Sequence, residues 1–200
     1  MHLNPQHALE RQRIRGEIRE RRRVLTPEQQ QHSANLAAKR IASHYRIQQA
    51  NTVAVFLSFD GELDTGPVIK LLWQQKKQVY LPVLHPFSPG NLLFLRYQPD
   101  SPLIRNRLKI LEPPLDVRDV LPLNRLDVVI TPLVAFDSHG QRLGMGGGFY
   151  DRTLQHWQHD GPYPIGLAHD CQWVDHLPSE LWDVPLPEIV TPAKVWQWIN

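Results

Sequence analysis

Four short, nearly unbroken apolar runs constrain this chain more than anything else in it. They lie at Thr52–Leu57, Val79–Leu84, Asp127–Val134 and Pro164–Ala168. A strand that faces water on one side alternates polar and apolar residues, so a continuous run marks a strand covered on both faces. Between the first two runs, residues 67–75 carry Val68, Ile69, Leu71 and Leu72 at helical spacing, which makes a βαβ unit. Leu92–Tyr97 reads as a further strand after the turn at residues 87–91. Upstream, residues 8–25 read as a helix. Thr26-Pro27 with Gln29 forms a capping box that opens a second helix, whose stripe is Ala34, Ala37, Ala38, Ile41, Ala42 and Tyr45. Strand and helix in alternation predict an α/β fold: one three-layer, Rossmann-like domain over residues 1–200, with a mostly parallel central sheet and helices on both faces. Residues 98–126 are proline-rich and read as surface chain with one short helix near Val117–Leu121. The last thirty residues read as an irregular tail.

In such sheets ligands bind beyond the C-terminal strand ends. Three segments fall there: Ser58–Asp64, Ala135–Gly148 and the chain after Ala168. The second is the most distinctive. It packs Gly140, Gly144, Gly146, Gly147 and Gly148 into nine positions, between a predicted strand and a helix predicted over residues 149–158. Glycines let backbone N–H groups approach an anion, and the helix N-terminus adds partial positive charge, so phosphate is the ligand this pattern suits. Arg142 lies inside the loop and could clamp a phosphate. No Gly-Lys-Ser/Thr follows, which excludes a Walker A loop, and the spacing departs from a dinucleotide fingerprint. Asp151 opens the following helix, where a carboxylate either offsets the helix dipole or holds Mg²⁺ beside a phosphate. Asp183 is a second carboxylate of that kind. Asp60, Glu62 and Asp64 after the first strand either hold a polar ligand or simply precede a helix start. No histidine spacing suits zinc. His169-Asp170-Cys171 lie on extended chain, where neighbouring side chains point apart, so they make a poor nucleophile dyad.

The charge is unevenly placed. The chain carries 22 Lys and Arg against 20 Asp and Glu, a net of +2. Residues 10–23 alone hold seven arginines and three glutamates, hence +4, leaving −2 for the rest. That helix could bind nucleic acid, could lend arginines to a nucleotide, or could be a solvated face with Glu–Arg pairs. One cysteine, Cys171, excludes an internal disulfide and any multi-cysteine metal site. No apolar run is long enough to span a bilayer, and the arginine-rich start lacks a signal-peptide core. A cytoplasmic monomer is the expectation.

Residues 131–152 (TPLVAFDSHGQRLGMGGGFYDR), together with FLSFDGELDT at 56–65 and the N-terminal Arg-x-x-x-Arg-Gly-Glu, closely resemble the 5-formyltetrahydrofolate cyclo-ligase family. The resemblance runs in order along most of the chain and implies an enzyme. Its reaction would be the ATP-dependent cyclisation of 5-formyltetrahydrofolate to 5,10-methenyltetrahydrofolate, with Mg²⁺ and release of ADP and phosphate. It further implies that Arg11 and Arg15 reach ATP, with Arg15 also near the folate, and that Leu57 and Glu62 contact the folate. Arg142, Leu143, Gly144, Met145, Gly146, Gly147, Gly148, Phe149 and Tyr150 would form the nucleotide loop. Residues Met145 to Phe149 would border the substrate as well, and Asp151 and Asp183 would be the metal carboxylates. Arg142, Tyr150 and Asp151 would be catalytic. Two departures stand out: Arg11 where the family commonly has lysine, and Gly147 where it commonly has Gly-Lys-Gly. Arg142 or Arg152 could make up the missing cation. A folate- or nucleotide-binding regulator with weak catalysis, contacting RNA through the arginine helix, is the alternative.

Overall fold

Val53 and Val55 point to one face of the sheet and Ala54 to the other; Val128 and Ile130 flank Val129 in the same way. All are buried, so both faces are covered, as the apolar runs require. The computed structural model describes residues 4–198, and the outermost residues of the expected 1–200 domain lie outside them. The elements follow in order: α1 (Pro5–Arg23), α2 (Pro27–Ser43), α3 (Tyr45–Gln49), β1 (Thr52–Ala54), α4 (Gly66–Gln74), β2 (Gln78–Leu84) and β3 (Leu92–Arg96). Next come β4 (Ile104–Arg105), β5 (Leu111–Glu112), β6 (Val120–Leu121), β7 (Val128–Thr131), β8 (Ala135–Phe136) and β9 (Arg142–Leu143). The chain closes with α5 (Phe149–Leu154), α6 (Trp157–Asp160), β10 (Tyr163–Leu167), β11 (Glu188–Val190) and β12 (Val195–Gln197).

The eight-stranded sheet has the order β12-β11-β10-β7-β1-β2-β3-β6. The five central strands are parallel, in registers such as Val53↔Val79, Val53↔Val128 and Ile165↔Ile130. Antiparallel β12, β3 and β6 finish the edges. Helices α2 and α4 cover one face around Ile41, Leu72 and Ile69, while Tyr150 and Leu154 of α5 cover the other. Helix α1 packs Ile14 and Ile18 against Val134, Ala135 and Leu143. From β1 the chain moves to β2 on one side, and from β7 it moves to β10 on the other. The connections therefore part between β1 and β7, which opens a crevice at their C-terminal ends.

The capping box at Thr26 forms as expected. Several expectations need correcting. The C-terminal tail is not irregular throughout: Glu188–Val190 joins β10 in parallel and Val195–Gln197 turns back on it. The helix predicted over residues 149–158 breaks at residues 155–156 into α5 and α6. The short helix near Val117–Leu121 is a 3-10 turn over Val117–Asp119 followed by β6. Strands β1 and β7 stop before the ends of their apolar runs, because the remaining residues peel away toward the crevice.

At the opposite end of the sheet lies a buried hydrogen-bonded cluster. The Nε2 of His44 meets Glu188 Oε2, Tyr163 donates to Oε1 at 2.9 Å, and Arg46 stacks over the Tyr163 ring at 4.2 Å. Burial pushes the Glu188 carboxyl up, but the hydrogen bonds with His44 and Tyr163 and the nearby charge of Arg46 together hold it below its ordinary value. The group therefore adds stability above the ordinary carboxylate range and loses it as pH falls through its lowered value. Glu188→Ala leaves the partners buried and unpaired. It should cost about 3 kcal/mol in urea denaturation near neutral pH, with the deficit shrinking as acid protonates the wild-type carboxyl.

Candidate functional site

A cavity of about 740 Å³ fills the crevice. Its floor is Phe56 and Leu57 after β1, Leu81 and Leu84 of β2, and Pro132 and Leu133 after β7. The glycine loop forms one wall and the Ser58–Asp64 turn contributes Phe59 and Glu62. Helix α1 contributes Arg11 and Arg15, and Trp182 and Asp183 close the rim. Arg11, Arg15, Leu57, Glu62, Arg142, Gly144 through Asp151 and Asp183 thus come together from segments far apart in sequence. Leu143 lies elsewhere: it is 2% exposed and packs in the core beside Ile14.

The glycine loop hangs between two fixed points. At its base the Arg142 guanidinium meets Asp151 Oδ1 at 2.5 Å, and the same oxygen accepts Val184 N–H at 3.1 Å. Within it, Gly146 and Gly148 sit at φ +106° and +64°, the left-handed region that favours glycine. Gly148 is also the residue from which α5 starts. Arg15 Nε donates to the Gly144 carbonyl at 2.9 Å, which brings a cavity-lining guanidinium to the loop. Arg152 donates to the carbonyls of Gly147 and Gly90, so it braces the loop from behind. A Cβ on Gly147 would lie 2.6 Å from the Phe149 ring. A lysine at that position therefore needs the ring displaced, and Gly147 and this Phe149 placement go together.

Among the described residues no three His, Cys, Asp or Glu side chains converge into a metal cage. Mg²⁺ does not need one; it takes one or two carboxylates along with phosphate oxygens and water. Asp151 suits that role: its two hydrogen bonds fall on Oδ1, and the residue lines the cavity. Asp183 is engaged otherwise. Arg11 grips it through two bonds, of 2.6 and 3.0 Å, and Oδ2 also accepts the Glu180 N–H.

Glu62 accepts the Phe59 N–H at 2.9 Å. Burial in the cavity wall pushes its carboxyl up to about 7, against the pull of that bond and of Arg22. Burial, then the charge of Glu62, push the Tyr150 hydroxyl up, so it stays protonated and is a donor rather than a base. The outer arginines of α1 are spent on neighbours: Arg13 on Glu10 and Glu17, Arg21 on Glu17, and Arg23 on Glu20. That arrangement is the solvated face with ion pairs. No helix among the described residues is long and apolar enough to cross a membrane.

Sequence reasoning missed one wall. The β4–β5 hairpin, read as surface chain, brings Asn106, Leu108, Ile110, Leu111 and Glu112 to the cavity. Asn106 Oδ1 accepts the N–H groups of Leu108 and Ile110, and Glu112 accepts from Leu84 N–H and Asn106. The apolar–polar alternation of Leu108-Lys109-Ile110 was the available signal.

The model of the 5-formyltetrahydrofolate cyclo-ligase family matches residues 7–192. The chain is 69% identical over 181 residues to 5-formyltetrahydrofolate cyclo-ligase of Escherichia coli K12, covering 90% of this chain and all of the relative. It is 54% identical over 180 residues to the Haemophilus influenzae enzyme of the same name, covering 90% of this chain and 96% of the relative. It is similar to the solved 5,10-methenyltetrahydrofolate synthetase of Aquifex aeolicus, with a TM-score of 0.79 at 25% identity, covering 94% of this chain and 92% of that one.

Gly148→Ala should destabilise the protein by roughly 1–2 kcal/mol in urea denaturation, the cost of a side chain in the left-handed region. The new Cβ would also press on Arg152 Nη1 at 3.0 Å and disturb the loop that Arg152 braces.

Proposed function

The chain belongs to the 5-formyltetrahydrofolate cyclo-ligase family, and we propose that it closes the five-membered ring of 5,10-methenyltetrahydrofolate on 5-formyltetrahydrofolate at the expense of ATP. One observation carries the reading: a single cavity joins the glycine loop and its arginines to the apolar floor and Glu62. It therefore has a phosphate-binding end and an end suited to a flat, N–H-bearing ring.

At the second end, Leu57 and Phe59 offer apolar surface and Glu62, when ionised, accepts hydrogen bonds from ring N–H groups. At the first end, the backbone of residues 144–148 and the start of α5 receive the triphosphate, with Arg15 supplying the cation that Gly147 does not. Asp151 would hold Mg²⁺ arriving with the nucleotide, and Asp183 would join it only by letting go of Arg11. The metal supplies neutralisation of phosphate charge.

The formyl oxygen is a poor leaving group. In the proposed sequence it attacks the γ-phosphorus and ADP leaves. N10 then attacks the formyl carbon, the carbon–oxygen bond breaks, and phosphate departs with the oxygen and the N10 proton. The chain's share is alignment and charge stabilisation: Arg15 and the loop N–H groups at the phosphates, Arg142 holding Asp151 in place, and the protonated Tyr150 as a hydrogen-bond donor. We place the reaction in the cytoplasm, with ATP and a reduced folate as partners of a monomeric enzyme.

With 5-formyltetrahydrofolate, ATP and Mg²⁺ the purified protein should generate the near-ultraviolet absorbance of the methenyl product, with one ADP formed per ring closed. ATP turnover that ignores the folate, or no product, would sink the reading. Asp151→Asn keeps the acceptor for Arg142 and removes the charge. Its kcat should fall by about a hundredfold or more, and its denaturation midpoint should fall as well, because the buried Arg142 loses its counter-charge, while circular dichroism still reports a folded chain. A wild-type rate in that variant would remove the carboxylate from the mechanism.

A further inference from the structure

Arg22 is the most buried arginine of α1, 2% exposed, and its Nε and Nη1 have no hydrogen-bond partner among the described residues. A guanidinium taken out of water at that cost needs an anion close by. The chain supplies one in the Ser58–Asp64 turn, which sits directly on it. A Cβ added to Gly61 would meet Arg22 Cβ at 3.4 Å. Asp60, at φ 51°, turns its Oδ2 to within 3.6 Å of Arg22 Nη2 and 3.2 Å of Arg19 Nε. Asp60 is the carboxylate within 4 Å of that guanidinium, and Glu62, the residue after the Gly61 that packs on Arg22, is the other negative charge that acts on it.

We propose that Arg22 is a positioning residue: from beneath the turn its buried guanidinium holds Glu62 as a carboxylate presented to the cavity. This rests on Glu62 being the folate acceptor. A neutral carboxyl would offer one of its oxygens as a donor and lose half of the recognition of an N–H edge. The charged and titratable groups that bear on Glu62 are Arg22 from α1, Asp60 in its own turn and Tyr150 from α5. Asp60 works against ionisation and Arg22 favours it. His169, buried at the same place, cannot substitute. Burial first, and Arg22 next, push it down to about 4, so it is neutral throughout the working range.

The test is kcat/KM for 5-formyltetrahydrofolate at saturating ATP and Mg²⁺ across pH about 5.5 to about 9, alongside calorimetric binding of the folate without ATP. Wild type should lose kcat/KM as pH falls through about 7, the range to which Glu62 is pushed. Arg22→Gln should move that limb up by about one pH unit, raise KM near neutrality by about tenfold, and leave kcat within about threefold. Arg22→Lys should bring the limb back toward wild type. Asp60→Asn, on the solvent side of the turn, should move it down. Should Arg22→Gln not fold, the Asp60→Asn and Arg22→Lys profiles decide the matter. A folded Arg22→Gln with lower activity at every pH and an unmoved limb would make Arg22 merely structural and overturn the proposal. So would an Asp60→Asn limb that stays put. Glu62→Gln separates the two levels: normal folate binding in that variant defeats the Glu62 reading itself. Lost binding there, with an unmoved limb in Arg22→Gln, defeats only the role of Arg22.

Discussion

The Arg142–Asp151 ion pair closes the glycine loop at its base, and much of the site hangs from it. Arg142 opens the second strand of a two-stranded ladder packed under α1, Asp151 lies in the first turn of α5, and residues 144–150 between them line the cavity. Because Asp151 also accepts from Val184, the same carboxylate fixes the C-terminal segment that closes the rim. A loop of glycines has many conformations, and folding must suppress them. Pinning both ends with a pair whose arginine side chain is 2% exposed does so without placing bulk where a phosphate must approach.

The pair also changes how Arg142 is understood. In the sequence it is a cation inside an anion-binding loop, and a direct phosphate contact is the natural expectation. In the structure it is buried and committed to a carboxylate, whereas Arg15 reaches the loop from another element. Sequence proximity identified the loop, but the guanidinium that hydrogen-bonds to its backbone from outside comes from a helix 129 residues upstream of the carbonyl it meets.

The architecture was largely legible for a simple physical reason: strands covered on both faces must be apolar throughout, and that leaves a mark in a single sequence. The site loops were legible through glycine, whose backbone freedom is rarely used without cause, and through the family resemblance carried by residues 131–152. What stayed hidden was partnership across distance. Nothing local announces that Asp183 grips Arg11, that Arg22 lies beneath Gly61, or that Glu188 pairs with His44. The strands β11 and β12 were missed because three residues each, among prolines and tryptophans, hold too little pattern to register as period two. The basic N-terminal helix divided along its faces. Its outward arginines neutralise their own glutamates, and its inward ones turn to the cavity and the Glu62 turn.

Arg11 and Asp183 stand 172 residues apart and meet across the mouth of the cavity. Helix α1 therefore waits for the segment after β10 before its inward arginine finds this partner. The same holds for β11, which enters the sheet only after β10 is in place. A nascent chain lacking its final twenty residues has the glycine loop and the Glu62 turn but not the rim that closes them. It also leaves Arg11 without the Asp183 carboxylate. Truncation from the C-terminal end therefore removes β12 and β11 first and the rim next, leaving the four parallel strands β10, β7, β1 and β2 in the sequence.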